Sequence, residues 1–171
     1  MSWDATSVYQ NPEVGLTIVE CNLTQGDSYT SKIPTDRISS VNWSTQGSVS
    51  VYAKDMTLIN THGIGERMTI TNPDHLRHGK CVLVCASETA KYYCLYNNNR
   101  DDIYYSGEVI QLEANEERTI SGHNGHFLFC SLGSLTNLEK LGHTTIDSDS
   151  YVATAGAEGA IITVYYDSTD D

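Results

Sequence analysis

The sequence predicts an all-β protein, a β-sandwich of the jelly-roll type with at most one short helix. Apolar residues alternate with polar ones or run in short blocks, and they rarely recur at helical spacing. Gly, Asn, Asp and Ser bound these blocks at short intervals, which is typical of sandwiches and jelly rolls. The predicted strands cover residues 15–21, 38–43, 48–53, 66–71, 80–85, 91–96, 107–112, 117–121, 126–132, 151–155 and 160–166.

Two connections between these strands have local signals of their own. Residues 132–141 are the one helical candidate, since Ser134 can cap a helix and three leucines follow at three-residue spacing. Residues 156–159, with a glycine at each end, predict a hairpin turn. A chain of 171 residues suits one domain. We therefore expect an N-terminal arm over 1–14, a single β-sandwich domain over 15–166 and an acidic tail over 167–171.

The charge balance excludes several classes of partner. The chain has 22 Asp and Glu against 10 Lys and Arg, a formal net charge of -12. Such a field repels nucleic-acid backbones and anionic membrane surfaces, so neither is an expected partner. The start of the sequence lacks the pattern of a secretory signal, which predicts synthesis in a cytoplasm. The five cysteines are accordingly expected to be reduced thiols, most of them in the core.

Two His-x-x-His stretches are the candidate metal ligands. They pair His75 with His78 and His123 with His126, and four imidazoles are able to close a tetrahedral site. However, Arg77 would place a positive charge beside the metal ion. We therefore expect loop histidines that are solvated or bonded to backbone, with no cofactor, and we keep a metal site as the alternative.

Nucleophilic catalysis has one candidate in the sequence. Cys130 follows His126 by four residues. A nucleophilic cysteine needs an exposed, electropositive setting, whereas this strand is predicted to be buried and the chain is acidic. The sequence contains no Gly-x-Ser-x-Gly and no phosphate-binding glycine loop. These observations predict a protein that is not an enzyme.

Tyrosine dominates the aromatic residues, with 11 Tyr against 2 Phe and 2 Trp. Neighbouring residues of a strand face opposite ways, so each tyrosine doublet should direct one ring outward. Tyrosine rings suit contact surfaces for a protein partner, another copy of the chain or a sugar. The candidate contact residues are Tyr92, Tyr93, Tyr96, Tyr104, Tyr105, Tyr165 and Tyr166.

These features together predict a structural protein that works by assembly. The expected function is that of a homo-oligomeric virion accessory protein, a capsid decoration or tail component, which binds a capsid or tail protein and is incorporated in a virion. Two alternatives remain open. One is a small β-barrel metalloenzyme that uses the His-x-x-His pairs, and the other is a carbohydrate-binding module that uses outward tyrosines.

Overall fold

The computed structural model describes residues 4–13, 16–32, 40–53, 55–67, 80–97 and 105–167. Within these ranges the chain forms β-strands and no helix, which confirms the all-β prediction. The strands are β1 (Asp4–Asn11), β2 (Leu16–Thr24), β3 (Ser28–Lys32), β4 (Ser40–Gln46), β5 (Val49–Ala53), β6 (Leu58–His62), β7 (Lys80–Cys85), β8 (Thr89–Asn97), β9 (Tyr105–Leu112), β10 (Glu117–Ser121), β11 (Phe127–Leu135), β12 (His143–Thr145) and β13 (Ser150–Asp167). None of the described segments is a helix long and apolar enough to cross a membrane.

The chain divides into two compact units, residues 1–105 and 106–171. The expected single domain over 15–166 stays a prediction. The boundary falls at the start of β9, where the sequence shows no change of composition that marks a linker. We refer to the two parts as the N-terminal and the C-terminal unit.

The N-terminal unit contains two antiparallel sheets of four strands. One has the order β1-β2-β8-β4 and the other the order β3-β7-β5-β6. Alternate residues of both sheets share one buried cluster, as expected when the inner faces of a sandwich pack together. That cluster consists of Cys21, Leu23, Val49, Val51, Leu83, Cys85, Ala90 and Tyr92.

The C-terminal unit is built around its long last strand. β13 pairs with β10 over its first residues and with β11 over later ones, and β9 also pairs with β13. β12 extends this sheet on the far side of β11. The core of this unit consists of Leu112, Ile120, Leu128, Cys130, Leu135, Ile146, Ala153, Ala155, Ala160, Ile162 and Val164.

The expected N-terminal arm is corrected over residues 4–11. These residues form β1, which pairs antiparallel with β2 from Asp4 opposite Asn22 to Asn11 opposite Leu16. β1 is an edge strand with mostly exposed or half-exposed side chains, so it carries little of the apolar alternation that marks a strand in a sequence. At the other end, β13 reaches Asp167, and residues 168–171 of the expected tail lie outside the described residues.

The predicted helix over 132–141 does not form. β11 continues through Leu135, and a turn follows in which Leu135 and Leu138 bridge each other and Leu141 has a φ of 65°. Leu135 is buried in the core and Leu138 packs against it, so the leucine spacing reflects a turn folded onto the core. Residues 156–159 likewise belong to the continuous strand β13 and close no hairpin.

Candidate functional site

The second His-x-x-His stretch folds as a tight turn in the C-terminal unit. The backbone N–H of His126 donates to the carbonyl of His123 at 3.0 Å, and Gly125 has a φ of 86°. A glycine with positive φ at the third position is the requirement of a type II turn. This turn brings two imidazoles three residues apart onto one side of the backbone.

Three backbone hydrogen bonds hold this turn against residues 146–149. Gly122 donates to the carbonyl of Asp149 at 3.1 Å, and Gly125 donates to that of Ile146 at 2.7 Å. The N–H of Ile146 donates a hydrogen bond to the carbonyl of His126 at 2.9 Å. Ile146 is fully buried in the core, so the histidine turn is anchored to the rigid part of the unit.

The two imidazole rings meet through the same type of nitrogen. Nδ1 of His123 lies 2.9 Å from Nδ1 of His126, and the ring centroids are 5.1 Å apart with an edge-to-face angle of 62°. Both residues are half-buried. The nitrogens face each other directly, so they are able to share one proton or to hold one cation between them.

A carboxylate lies behind the first imidazole. Glu108 Oε2 is 3.6 Å from Nε2 of His123, the ring nitrogen that does not face His126. Glu108 lies on β9, on the same strand face as Ile110 and Leu112, which pack in or against the core. Its own side chain is 63% exposed, whereas that of His123 is 13% exposed. The carboxylate thus stands at the solvent side of a largely covered ring.

The segment that anchors the histidine turn carries further polar side chains. Tyr151 lies opposite Ile120 and packs against the core. Burial raises the pKa of its hydroxyl, and the nearby Asp147 carboxylate raises it further by a smaller amount. Asp147 and Asp149 are exposed on the same segment. The surroundings of the histidine pair are therefore negative, which favours a cation over an anion.

The histidine pair fits part of a metal site. Two nitrogen donors bound to one ion at about 2.1 Å each stand roughly 3 Å apart, close to the separation seen here. Imidazole is a common ligand for divalent first-row metals. Within the described ranges, no three His, Cys, Asp or Glu side chains are grouped to hold a metal, so this pair contributes two ligands. The other predicted pair, His75 and His78, lies outside the described residues and its role stays a prediction.

Cys130 is unsuited to the role of nucleophile. It is fully buried in the core of the C-terminal unit, and its thiol donates to the carbonyl of Leu132 at 3.4 Å. Burial raises the pKa of the thiol to about 11. The group is consequently a thiol at neutral pH, as expected for a structural cysteine.

The candidate tyrosines whose side chains the structure describes are buried. Tyr92 and Tyr93 are 1% and 0% exposed, which corrects the expectation that one ring of this doublet faces outward. Tyr93 stacks on Trp43 and its hydroxyl donates to Glu20 at 2.5 Å, while Tyr165 is 8% exposed and packs on Phe127. These three rings offer no exposed surface to a sugar or a partner. The side chains of Tyr96, Tyr104, Tyr105 and Tyr166 lie outside the described part of the chain, so their contact role stays a prediction.

Glu108 is the residue of this site that the sequence does not predict. It precedes His123 by 15 positions and belongs to a different strand, so no spacing rule links the two. The pairing of β9 with β13, rather than a local motif, brings it to the histidine turn. Its one signal in the sequence is a charged residue on the apolar face of the predicted strand.

Comparison with known proteins identifies the fold and no more. No protein-family model and no curated protein sequence matches the chain. Among solved structures, a mutant of Bacillus subtilis oxalate decarboxylase matches with a TM-score of 0.58 and 10% identity, over 96% of this chain and 73% of that one. GK1651 of Geobacillus kaustophilus matches with a TM-score of 0.54 and 14% identity, over 96% and 92% of the two chains. A cupin 2 conserved barrel domain protein from Leptotrichia buccalis matches with a TM-score of 0.48 and 8% identity, over 96% and 88%.

These neighbours confirm the predicted fold class and overturn the predicted function. The chain has an all-β fold like that of oxalate decarboxylase and GK1651, in agreement with the expected jelly-roll sandwich. The interpretation as a virion accessory protein is wrong, because the solved structures that this fold resembles include an enzyme, oxalate decarboxylase. Missing catalytic motifs are no sign of assembly here, since function depends on the site that a fold carries and not on the fold itself.

Proposed function

We propose that this protein is a small β-barrel metalloenzyme whose metal centre is built on the histidine turn of the C-terminal unit. In this proposal Nδ1 of His123 and Nδ1 of His126 are two of the ligands. The observation that carries it is the 2.9 Å approach of these two nitrogens. The enzymatic part rests on the fold, since the structural neighbours include the Bacillus subtilis oxalate decarboxylase with its Mn(II) centres.

The remaining features of the turn support a cation rather than an organic anion. Glu108 lies behind one ring, and Asp147 and Asp149 are exposed on the segment that anchors the turn. A divalent ion bound here would act as a Lewis acid toward a small oxygen-bearing ligand. The chain's own part is to hold the two imidazoles on a turn fixed by three backbone hydrogen bonds, so that the ligands need little reorganisation.

Metal titration of the untagged protein tests the proposal. We expect Zn(II), Ni(II) or Mn(II) to bind at one ion per chain in isothermal titration calorimetry, and His123→Ala and His126→Ala each to weaken binding at least tenfold. His143→Ala is the matched control, because His143 is an exposed histidine of the same unit whose ring stacks on Phe127. It should bind as the parent does.

Two results would contradict the proposal. One is a parent protein that binds none of the three ions, and the other is a set of His123 and His126 variants that bind as tightly as the parent. Near-ultraviolet circular dichroism shows whether the alanine variants fold. If they do not, His126→Gln replaces them in the titration, because it keeps a polar side chain at the turn.

A further inference from the structure

The contact between the two histidines has a direction. In a neutral imidazole one ring nitrogen carries the hydrogen and the other accepts. Two Nδ1 atoms 2.9 Å apart therefore require one donor and one acceptor, since two hydrogens would collide and two lone pairs would repel. A charge beside either ring is able to bias which of the two rings donates.

Glu108 places such a charge beside His123. A carboxylate only accepts hydrogen bonds, and this one lies 3.6 Å from Nε2 of His123. The distance is longer than a hydrogen bond, so the carboxylate acts by electrostatic attraction on the hydrogen at Nε2. The ring of His123 is largely covered while the carboxylate is mostly exposed, so solvent screens this attraction chiefly from the side of Glu108. The hydrogen of His123 is thus favoured at Nε2, and its Nδ1 is left as the acceptor.

We propose that Glu108 is a positioning residue that sets complementary tautomers on the histidine pair. His123 carries its hydrogen on Nε2 and presents Nδ1 as an acceptor, while His126 carries its hydrogen on Nδ1 and donates it to His123. The role for metal binding rests on the proposed function. In that role the carboxylate would keep Nδ1 of His123 unprotonated, as a metal ligand must be, and His126 would need its hydrogen on Nε2 in order to bind through Nδ1.

Nitrogen NMR of the metal-free protein tests the tautomers directly. Long-range ¹H–¹⁵N correlation spectra recorded at about pH 8.5, where imidazoles are generally neutral, distinguish the two forms of each ring. We expect the Nε2–H form for His123 and the Nδ1–H form for His126. Glu108→Ala should remove this preference, so that both rings show mixed forms.

Two further variants separate charge from the loss of the side chain. Glu108→Gln keeps the shape and removes the charge, and it should also shift His123 toward mixed tautomers. Glu158→Ala removes an exposed carboxylate elsewhere on the same unit and should leave both rings as in the parent. A parent in which His123 is mainly Nδ1–H, or a Glu108→Ala variant with unchanged tautomers, would overturn the inference.

Metal affinity distinguishes this inference from the proposed function. If the function holds, Glu108→Ala should bind Zn(II) about 10- to 100-fold more weakly than the parent. A parent with the expected tautomers and no affinity for metal would contradict the function and leave the tautomer assignment standing. If the parent binds metal through both histidines but the tautomers are unchanged in Glu108→Ala, only the inference is contradicted.

Discussion

At the scale of single residues, His62 shows how burial changes a side chain that is ordinarily a surface group. It ends β6, pairs with Val49 and is 3% exposed. Its Nε2 has no hydrogen-bond partner in the described part of the chain. Burial lowers the pKa of this imidazole, and the attraction of the Glu66 carboxylate opposes that shift only in part. The N-terminal unit therefore holds this histidine in its neutral form.

The stability of the protein should fall as the pH drops below the ordinary histidine value. Because the pKa of His62 is lowered in the folded state, the unfolded chain binds a proton first, at about pH 6.5, and folding loses free energy below that point. His62→Gln cannot titrate, so its free energy of unfolding should change less between pH 7 and pH 5 than that of the parent. Urea unfolding followed by tryptophan fluorescence, to which the buried Trp43 of the same unit contributes, measures this difference.

A control separates this effect from that of histidines in general. His143→Gln removes an exposed histidine and should keep the pH dependence of the parent. The same pH dependence in His62→Gln and the parent would show that His62 contributes nothing to acid sensitivity.

At the scale of elements, β13 organises the C-terminal unit because it changes partners along its length. Between Gly133 and Leu135 its register with β11 shifts, and the residues opposite change from Ala160 to Ala155. Gly133 and Gly159 have φ values of 67° and 77° at this irregularity. Such backbone angles favour glycine, and they let a single strand serve two sheet segments without a hairpin.

Gly133→Ala should be strongly destabilising. A Cβ at this position would stand 2.0 Å from the carbonyl oxygen of Gly159, which is backbone and cannot move aside easily. We expect a loss of about 2 to 4 kcal/mol, the sum of a positive-φ cost of about 1 kcal/mol and overpacking. Chemical denaturation monitored by circular dichroism measures the loss.

Gly122→Ala is the matched control for this substitution. Gly122 has a φ of 78°, and a Cβ added there would meet no atom within 4 Å, so only the backbone cost of about 1 kcal/mol applies. If the two variants lose the same free energy of unfolding, the close approach of Gly133 to Gly159 makes no contribution to the cost of Gly133→Ala.

At the scale of the whole molecule, the dominant property is the net charge of -12. Charges of one sign repel one another in the compact state, and salt screens this repulsion. This repulsion lowers the stability of the folded state and is spread over the whole surface. Local ion pairs such as Arg118 with Glu116 are attractive and oppose it.

Thermal stability should therefore rise with salt. We expect the Tm in calorimetry to increase by a few degrees between about 10 mM and about 300 mM NaCl, because the Debye length shrinks from about 30 Å to under about 10 Å. A Tm that falls over this range would mean that attractive ion pairs outweigh the general repulsion. Self-association and synthesis in a cytoplasm stay predictions, and native mass spectrometry of the protein measures the first.

The sequence by itself determined the fold class and the positions of most strands, because period-two alternation and turn residues are local properties. It also indicated that His123 and His126 lie in a loop, whereas the structure showed that this loop is a type II turn with Gly125 at its third position. The tertiary structure alone decided that residues 4–11 form an edge strand, that the leucines after Ser134 fold as a turn, and that Tyr92 and Tyr93 are both buried. It also placed Glu108 behind His123. These features depend on which strands become neighbours, and strand pairing joins residues far apart in the chain, beyond the range of any local pattern.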